Sequence, residues 1–226
     1  MAEQFFSERV ATPIGPMILV TDGRQQLRAA DWEDKSERMY RLLRLQYAKD
    51  GYELCTAART AARLALEAYF DGELAAIDVV PTRTCGTDFQ RLAWAALRAI
   101  PAGTTLSYGQ LAARIGRPAA VRAVGAANGA NPIPVVVPCH RVIGANASLT
   151  GFGGGLERKR WLLEHERRHA AIAGSCVQLT FEADPAVTHR EPGRGDFVAA
   201  QYARGEGCEL NYCCETQSGL RSHDEK

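Results

Sequence analysis

Cys139 and His140 stand side by side in the run Pro138-Cys139-His140-Arg141-Val142, behind the approach Asn131-Pro132-Ile133-Pro134-Val135-Val136-Val137. A thiol beside an imidazole is a candidate nucleophile, because the thiolate is the reactive form and a neighbouring base can generate it. The three valines predict a buried strand, and Pro138 stiffens the backbone just before the cysteine. Adjacent side chains of an extended chain point to opposite sides. His140 can then act on Cys139 only through a bridging water, or if the backbone turns sharply at the cysteine. Buried cysteines also serve as inert packing, and Cys-His pairs as metal ligands. The other candidates in the body of the chain, Cys55, Cys85, His165 and His169, fall at no regular metal spacing. No metal is expected at Cys139.

Two later segments could complete such a site. Thr150-Gly151-Phe152-Gly153-Gly154-Gly155-Leu156 can expose backbone amides and admit a flat ligand, but it lacks the Lys-Ser/Thr that finishes a phosphate loop. Glu157 to Glu166 reads as a helix whose Arg158-Lys159-Arg160 cluster forms a solvated face. Glu166 is either the carboxylate that orients an imidazole or a surface charge.

The elements that must position these residues are legible from punctuation and period. Phe6 to Ala11, Met17 to Thr21 and Leu27 to Trp32 read as strands, with Asp22-Gly23 as a hairpin turn. Met39, Leu42, Leu43 and Tyr47 mark one face of a helix, and Leu66, Tyr69 and Phe70 another before Asp71-Gly72. A small α/β domain over residues 1–82 is the simplest account, with Pro81 to Thr84 as a linker. Thr87 with Gln90 and Ser107 with Gln110 have the spacing of capping boxes, each opening a helix. The first continues as the stripe Phe89, Leu92, Ala93, Ala96, Leu97 and Ile100. Arg117-Pro118 opens a third helix to about Gly129, with Val121 and Val124 inward.

The two short helices on either side of Gly116 match a helix-turn-helix shape. The second carries small side chains, with one arginine and one asparagine, where a major-groove reader would carry several long polar ones. Such a surface either lies close to a narrow groove or packs against a neighbouring helix.

The 226 residues are 46% hydrophobic and 23% charged, which excludes collagen-like, coiled-coil and wholly disordered chains. No apolar run approaches a membrane span, and Met1 to Ser7 has none of the features of a secretory signal. Seven cysteines, an odd number, argue against a disulfide framework. A cytoplasmic protein is expected. The net charge of +1 divides unevenly, since residues 171–226 hold 5 Lys/Arg against 9 Asp/Glu and the body carries the basic excess. A mildly basic body is compatible with nucleic acid without demanding it.

Together these segments resemble the O6-alkylguanine-DNA alkyltransferases (methylated-DNA–protein-cysteine methyltransferases) of the constitutive bacterial type. The resemblance is carried by Pro138 to Val142 with Asn131-Pro132, and by Ser107-Tyr108-Gly109-Gln110-Leu111-Ala112. Arg122-Ala123-Val124-Gly125-Ala126-Ala127-Asn128, Gly154-Gly155 and Trp161-Leu162-Leu163-x-His165-Glu166 complete it, over roughly residues 5–168. It implies an α+β fold: a small N-terminal α/β domain with antiparallel strands, then a mainly helical domain, residues 85–169, with a helix-turn-helix-like (winged-helix-like) element. It also implies irreversible, single-turnover transfer of the alkyl group of O6-alkylguanine, and of O4-alkylthymine, in double-stranded DNA to the protein's own cysteine. No cofactor is implied, and a monomer is expected.

By the same resemblance Cys139 is the attacking thiolate. His140 deprotonates it through a water, Glu166 holds the imidazole and Asn131 braces the turn. Tyr108 protonates the guanine ring as it leaves. Arg122 replaces the extruded nucleotide in the stack, on a helix whose Ala123, Ala126, Ala127 and Asn128 meet DNA. Pro138, Val142, Phe152 and Gly153 line the pocket, and the carbonyls of Cys139 and Val142 accept from the guanine amine.

Phe152 and Gly153 depart from the tyrosine and hydroxyl or small residue common in relatives, which predicts a roomier pocket tolerant of alkyl groups larger than methyl. The first domain lacks the cysteines and histidine of the zinc site some relatives have. The tail, residues 170–226, lies outside the resemblance and reads as irregular or disordered. Its Cys208, Cys213, Cys214 and His223 fit no standard zinc spacing. A non-catalytic, lesion-binding relative would lack the reactive cysteine, and a thiol hydrolase would need an oxyanion hole, for which no separate motif is present.

Overall fold

A computed structural model of the protein describes residues 3–47, 51–56 and 60–178, with side chains as far as residue 171. All lie in the compact unit Met1–Glu182. The three expected strands form an antiparallel meander, β1 (Glu3–Val10), β2 (Met17–Asp22) and β3 (Leu27–Trp32). Asp22 makes the hairpin turn by accepting the backbone N–H groups of Arg24 (2.8 Å) and Gln26 (2.9 Å). A fourth strand, β4 (Tyr52–Thr56), pairs parallel with β1, giving the order β3-β2-β1-β4. None of its residues is fully buried, so it shows no alternating pattern, and pairing with β1 decides its conformation.

Helix α1 (Ser36–Tyr47) lays Met39, Leu43 and Tyr47 against Phe5, Val20 and Ala29 of the sheet. Helix α2 (Ala61–Phe70) is capped by the Thr60 hydroxyl and contributes Leu66, Tyr69 and Phe70 to the main core, which continues through β2 and β3. The free edge of β3 is covered by two segments. Leu27 donates to Pro81 O (2.8 Å) and accepts from Arg83 N–H (3.0 Å), so the linker lies along the strand, and Ala30 donates to Pro132 O (2.9 Å). An edge that would otherwise invite pairing with another chain instead fixes the start of the cysteine approach.

Helices α3 (Asp88–Arg98) and α4 (Tyr108–Arg114) begin at the two expected capping boxes, both formed reciprocally. Helix α5 (Val121–Gly129) follows, and α6 (Leu156–Gln178) closes the described chain. Strand β5 (Leu106–Ser107) pairs parallel with β6 (Val142–Ile143), which sets the start of α4 beside the residues that follow Cys139.

Several details differ from the sequence reading. Arg117 to Ala120 form a turn ahead of α5 rather than its first turn. Val124 is buried, but Val121 and Leu92 face outward. Val135 to Val137 are buried as expected yet form no strand, and Val135 sits at φ +73°. Helix α6 runs through Gln178, into the segment expected to be irregular. The rest of the tail, with Cys208, Cys213, Cys214 and His223, lies outside the described residues. No helix among them is long and apolar enough to cross a membrane.

Close packing at the glycine loop is exacting. Gly154 is buried, and a Cβ there would collide with the Trp32 ring on β3. Gly154→Ala is expected to destabilise the fold by roughly 1–3 kcal/mol through overpacking, measured as a lowered urea midpoint with an unchanged slope.

Candidate active site

The chain turns sharply at the cysteine, the alternative that lets neighbouring residues cooperate. Val137 N–H bonds Ile133 O (2.8 Å), Cys139 N–H bonds Val137 O (2.7 Å), and Arg141 N–H bonds Pro138 O (3.0 Å). Cys139 to Arg141 thus form one turn of 3₁₀ helix. Asn131 spans the approach: its Nδ2 donates to Val137 O (2.7 Å) and its Oδ1 accepts from Ile133 N–H (3.0 Å). The left-handed Val135 stores strain, since a β-branched residue rarely adopts positive φ, and full burial of its side chain holds it there.

Glu166, one helical position beyond His165 on α6, is fully buried. Its Oε1 accepts from Tyr69 Oη (2.8 Å) and Arg141 Nη2 (2.8 Å) and lies 2.8 Å from His140 Nε2. Its Oε2 accepts from Arg141 Nε (3.0 Å) and Gly103 N–H (3.1 Å). Burial alone would raise its pKa. The attraction of His140, and hydrogen bonds from His140 and Arg141, outweigh that and hold it well below the usual carboxylate range. Burial, then Glu166, keeps the Tyr69 phenol protonated as a donor.

An ionised carboxylate only accepts hydrogen bonds, so Nε2 of His140 carries the proton. The opposite nitrogen, Nδ1, is buried, without a protein partner, and presents a lone pair. Burial pushes the His140 pKa below its ordinary value against the pull of Glu166, with Arg141 and Lys159 lowering it further. The resting imidazole is therefore neutral, in the tautomer that leaves Nδ1 basic.

Cys139 is 4% exposed. Burial raises its thiol pKa, opposed by a hydrogen bond from Asn131 and by the charges of Arg38 and Lys159. The resting sulfur is a protonated thiol that needs a base. The carbonyl of Cys139 accepts from Asn128 Nδ2 (3.3 Å) and that of Val142 from Lys159 Nζ (2.6 Å), while Lys159 also bonds Thr150 O (2.7 Å). The Cys139 carbonyl also accepts from Val142 N–H, so both of its lone pairs are engaged.

The structure gathers most of the expected site residues round this turn. Pro138 and Val142 are buried on either side of Cys139 and His140. Tyr108, half-buried at the start of α4, packs on the core beside the β5–β6 pair. Phe152 packs edge-on to His140 (centroids 6.4 Å) and Trp32 (5.8 Å). The room left by Gly153 belongs to Arg38, whose guanidinium carbon would lie 2.5 Å from an added Cβ. Arg38 is held by Asp31 (2.9 Å) and donates to the carbonyls of Gly129 (3.2 Å) and Asn131 (3.4 Å). On α5, Arg122, Ala123 and Ala126 are exposed. Ala127 and Asn128 are buried, one accepting from Trp94 Nε1 through its carbonyl (2.9 Å) and the other holding Cys139. These two build the site from behind rather than presenting a surface.

Tyr69, Gly103, Arg141, Lys159 and Arg38 were absent from the sequence-based site. Only Arg141 left a signal, as a cation within an apolar run. Lys159, read as part of a solvated cluster, is fully buried. Among the described residues no group of three His, Cys, Asp or Glu side chains is placed to hold a metal ion.

The family described as 6-O-methylguanine DNA methyltransferase, DNA binding domain matches residues 88–168. The methylated-DNA–protein-cysteine methyltransferase of Shigella flexneri is 52% identical over 164 residues, 72% of this chain and 96% of the relative. The chain belongs to the methylated-DNA–protein-cysteine methyltransferase family. The namesake from Mycobacterium tuberculosis strain H37Rv is 47% identical over 163 residues, 71% of this chain and 92% of the relative. The crystal structure of the O6-methylguanine methyltransferase of that species, 40% identical, superposes with a TM-score of 0.60 over 73% of this chain and 94% of the other. Its complex with DNA gives 0.59 over 74% and 94%.

The buried charges set an acid limit on stability. The folded pKa of His140 lies below its ordinary 6.5, so unfolded chains bind a proton first as pH falls past that value. His165, also lowered chiefly by burial, adds to this window. Glu166, lowered from 4.5, adds a second loss below that pH. Urea stability is expected to be level from 6.5 to about 8, below the range where the unfolded Cys139 thiol ionises, and to fall in these two acid windows. His140→Gln is expected to reduce both drops, the second because Glu166 loses a partner that holds it low.

Proposed function

We propose that this protein repairs DNA by moving the alkyl group from O6 of a damaged guanine, or O4 of thymine, onto Sγ of Cys139, once per chain. The observation that carries this reading is the placement of a buried thiol next to an imidazole whose free nitrogen is made basic by an ionised Glu166. His140 Nδ1 takes the thiol proton through a water. The thiolate attacks the alkyl carbon in line, an S–C bond forms, and the C–O bond breaks with its electron pair passing to the base. Tyr108, at the start of α4, supplies a proton to the ring so that guanine leaves neutral. The thioether product is stable to water, and the protein stops after one reaction.

A base inside a duplex cannot reach a sulfur so deeply buried, so the nucleotide must be extruded, at a cost of a few kcal/mol that is least for a damaged base. The exposed Arg122, Ala123 and Ala126 suit a helix laid closely in the minor groove, with Arg122 taking the vacated place in the stack. We infer a cytoplasmic monomer in which residues 1–82 form the scaffold and 85–169 the reacting and DNA-contacting part, with Arg38 and Tyr69 of the scaffold entering the site.

Mixed with duplex carrying labelled O6-methylguanine, the protein is expected to take up label to a limit of one per chain, and Cys139→Ser to take up none. Binding without transfer by the intact chain would instead mark a lesion-recognition protein. Tolerance of larger alkyl groups now rests on Phe152 alone, since Arg38 fills the room beside Gly153. Similar transfer rates from methyl and butyl lesions support it, and a steep fall for butyl ends it.

A further inference from the structure

Most guanidinium groups of the described residues are tied down. Arg9 pairs with Glu33, Arg28 with Asp22, Arg38 with Asp31, Arg63 with Glu67, Arg91 with Asp88, and Arg158 with Asp34. Arg41 and Arg44 are exceptions. Both are exposed on α1, and neither side chain makes a hydrogen bond or ion pair. Together with Arg38 they follow a three-residue spacing, which sets them along one side of the helix over about 9 Å of its axis. They line a shallow cleft of about 600 Å³ with Glu37 and Tyr40. Glu37 is the only carboxylate lining it, and Arg38 is already matched by Asp31, so the cleft keeps a net positive charge. Arg117 and Arg122, before and on α5, are likewise exposed and without side-chain partners.

These two sets of free arginines are joined. Arg38 lines the cleft and at the same time donates to the carbonyl of Gly129, the last residue of α5. The cleft on α1 therefore lies beside the end of the helix assigned to the minor groove.

We propose that Arg41 and Arg44 bind backbone phosphates of the duplex flanking the lesion, so that α1 of the N-terminal part extends the DNA footprint beyond the helix-turn-helix. This rests on the repair reading above. Unpaired guanidiniums match phosphate geometry with parallel N–H groups, and contacts to phosphate add affinity and register without reading sequence. Free side chains on a surface otherwise rich in ion pairs are ready to exchange counterions for phosphates, and that exchange leaves a measurable mark in salt dependence.

The test compares the full chain with R41Q/R44Q, both also carrying Cys139→Ser so that binding is read without reaction. One duplex just covers the lesion, and a second extends about one helical turn, roughly 10 base pairs, further on each side. On the long duplex the double substitution is expected to weaken binding about tenfold near 0.1 M salt. The slope of log affinity against log salt should become shallower by about 1.8, two contacts at about 0.9 each. On the short duplex the two proteins should bind alike. With Cys139 intact, R41Q/R44Q should still take up one alkyl group per chain from the short duplex. Unchanged slope and affinity on the long duplex overturn the proposal, as does an equal loss on both duplexes. A change only in how many chains load onto one long duplex also overturns it, by assigning the cleft to contacts between copies. If the unsubstituted protein takes up no alkyl group from any duplex, the repair reading itself fails, and that result is distinct from all of these.

Discussion

The Glu166 carboxylate is the point on which the site is built. It is a full negative charge out of contact with water, and its two oxygens are shared among Tyr69 of α2, the backbone of Gly103, His140 and Arg141. Elements far apart in the chain converge on this group. Removing one partner of a buried ion pair typically costs 3–5 kcal/mol, because the other charge is left stranded. The cluster thereby fixes the ends of the loops that carry the cysteine at the same time as it sets the charge on the imidazole. In the proposed repair chemistry, structural support and activation of the base come from one set of hydrogen bonds.

The surrounding electrostatics divide the labour between neighbours. Arg141 neutralises Glu166 and leaves His140 free to remain uncharged, with its proton on the nitrogen that faces the carboxylate. The thiol itself is raised by burial, so the sulfur rests as the less reactive species. The charges of Arg38 and Lys159 oppose that shift. A strained Val135, an asparagine across the turn and a proline before the cysteine keep the sulfur at a fixed position. This is the pre-organisation an in-line displacement requires.

The N-terminal part is tied directly to this chemistry. Strand β3 holds the cysteine approach through Ala30, its Trp32 closes over Gly154, and Asp31 next to it anchors Arg38 against the backbone of Asn131. The same arginine touches the end of α5. A displacement of the sheet edge would be felt at the cysteine turn, at the glycine loop and at the end of the helix together, because rigid packing transmits it.

Local signals in the sequence were sufficient for the elements that obey local rules. Capping boxes placed the starts of α3 and α4, and the Asp-Gly turn placed the hairpin of β2 and β3. The family resemblance grouped Cys139 with Asn131, His140 and Glu166, which the structure brings round one turn. Strand β4 had no pattern to reveal it, since it has no fully buried face. The valines before the cysteine read as a strand because burial and β-branching are what strands share, whereas the turn they form is imposed by long-range contacts. Nothing local marked Tyr69, Arg38 or Lys159 as site residues, or Ala127 and Asn128 as interior ones. Sequence alone determined which atoms can react, because reactivity belongs to residue type. Tertiary structure alone decided their protonation and exposure, because burial and the nearest charge depend on residues tens of positions away along the chain.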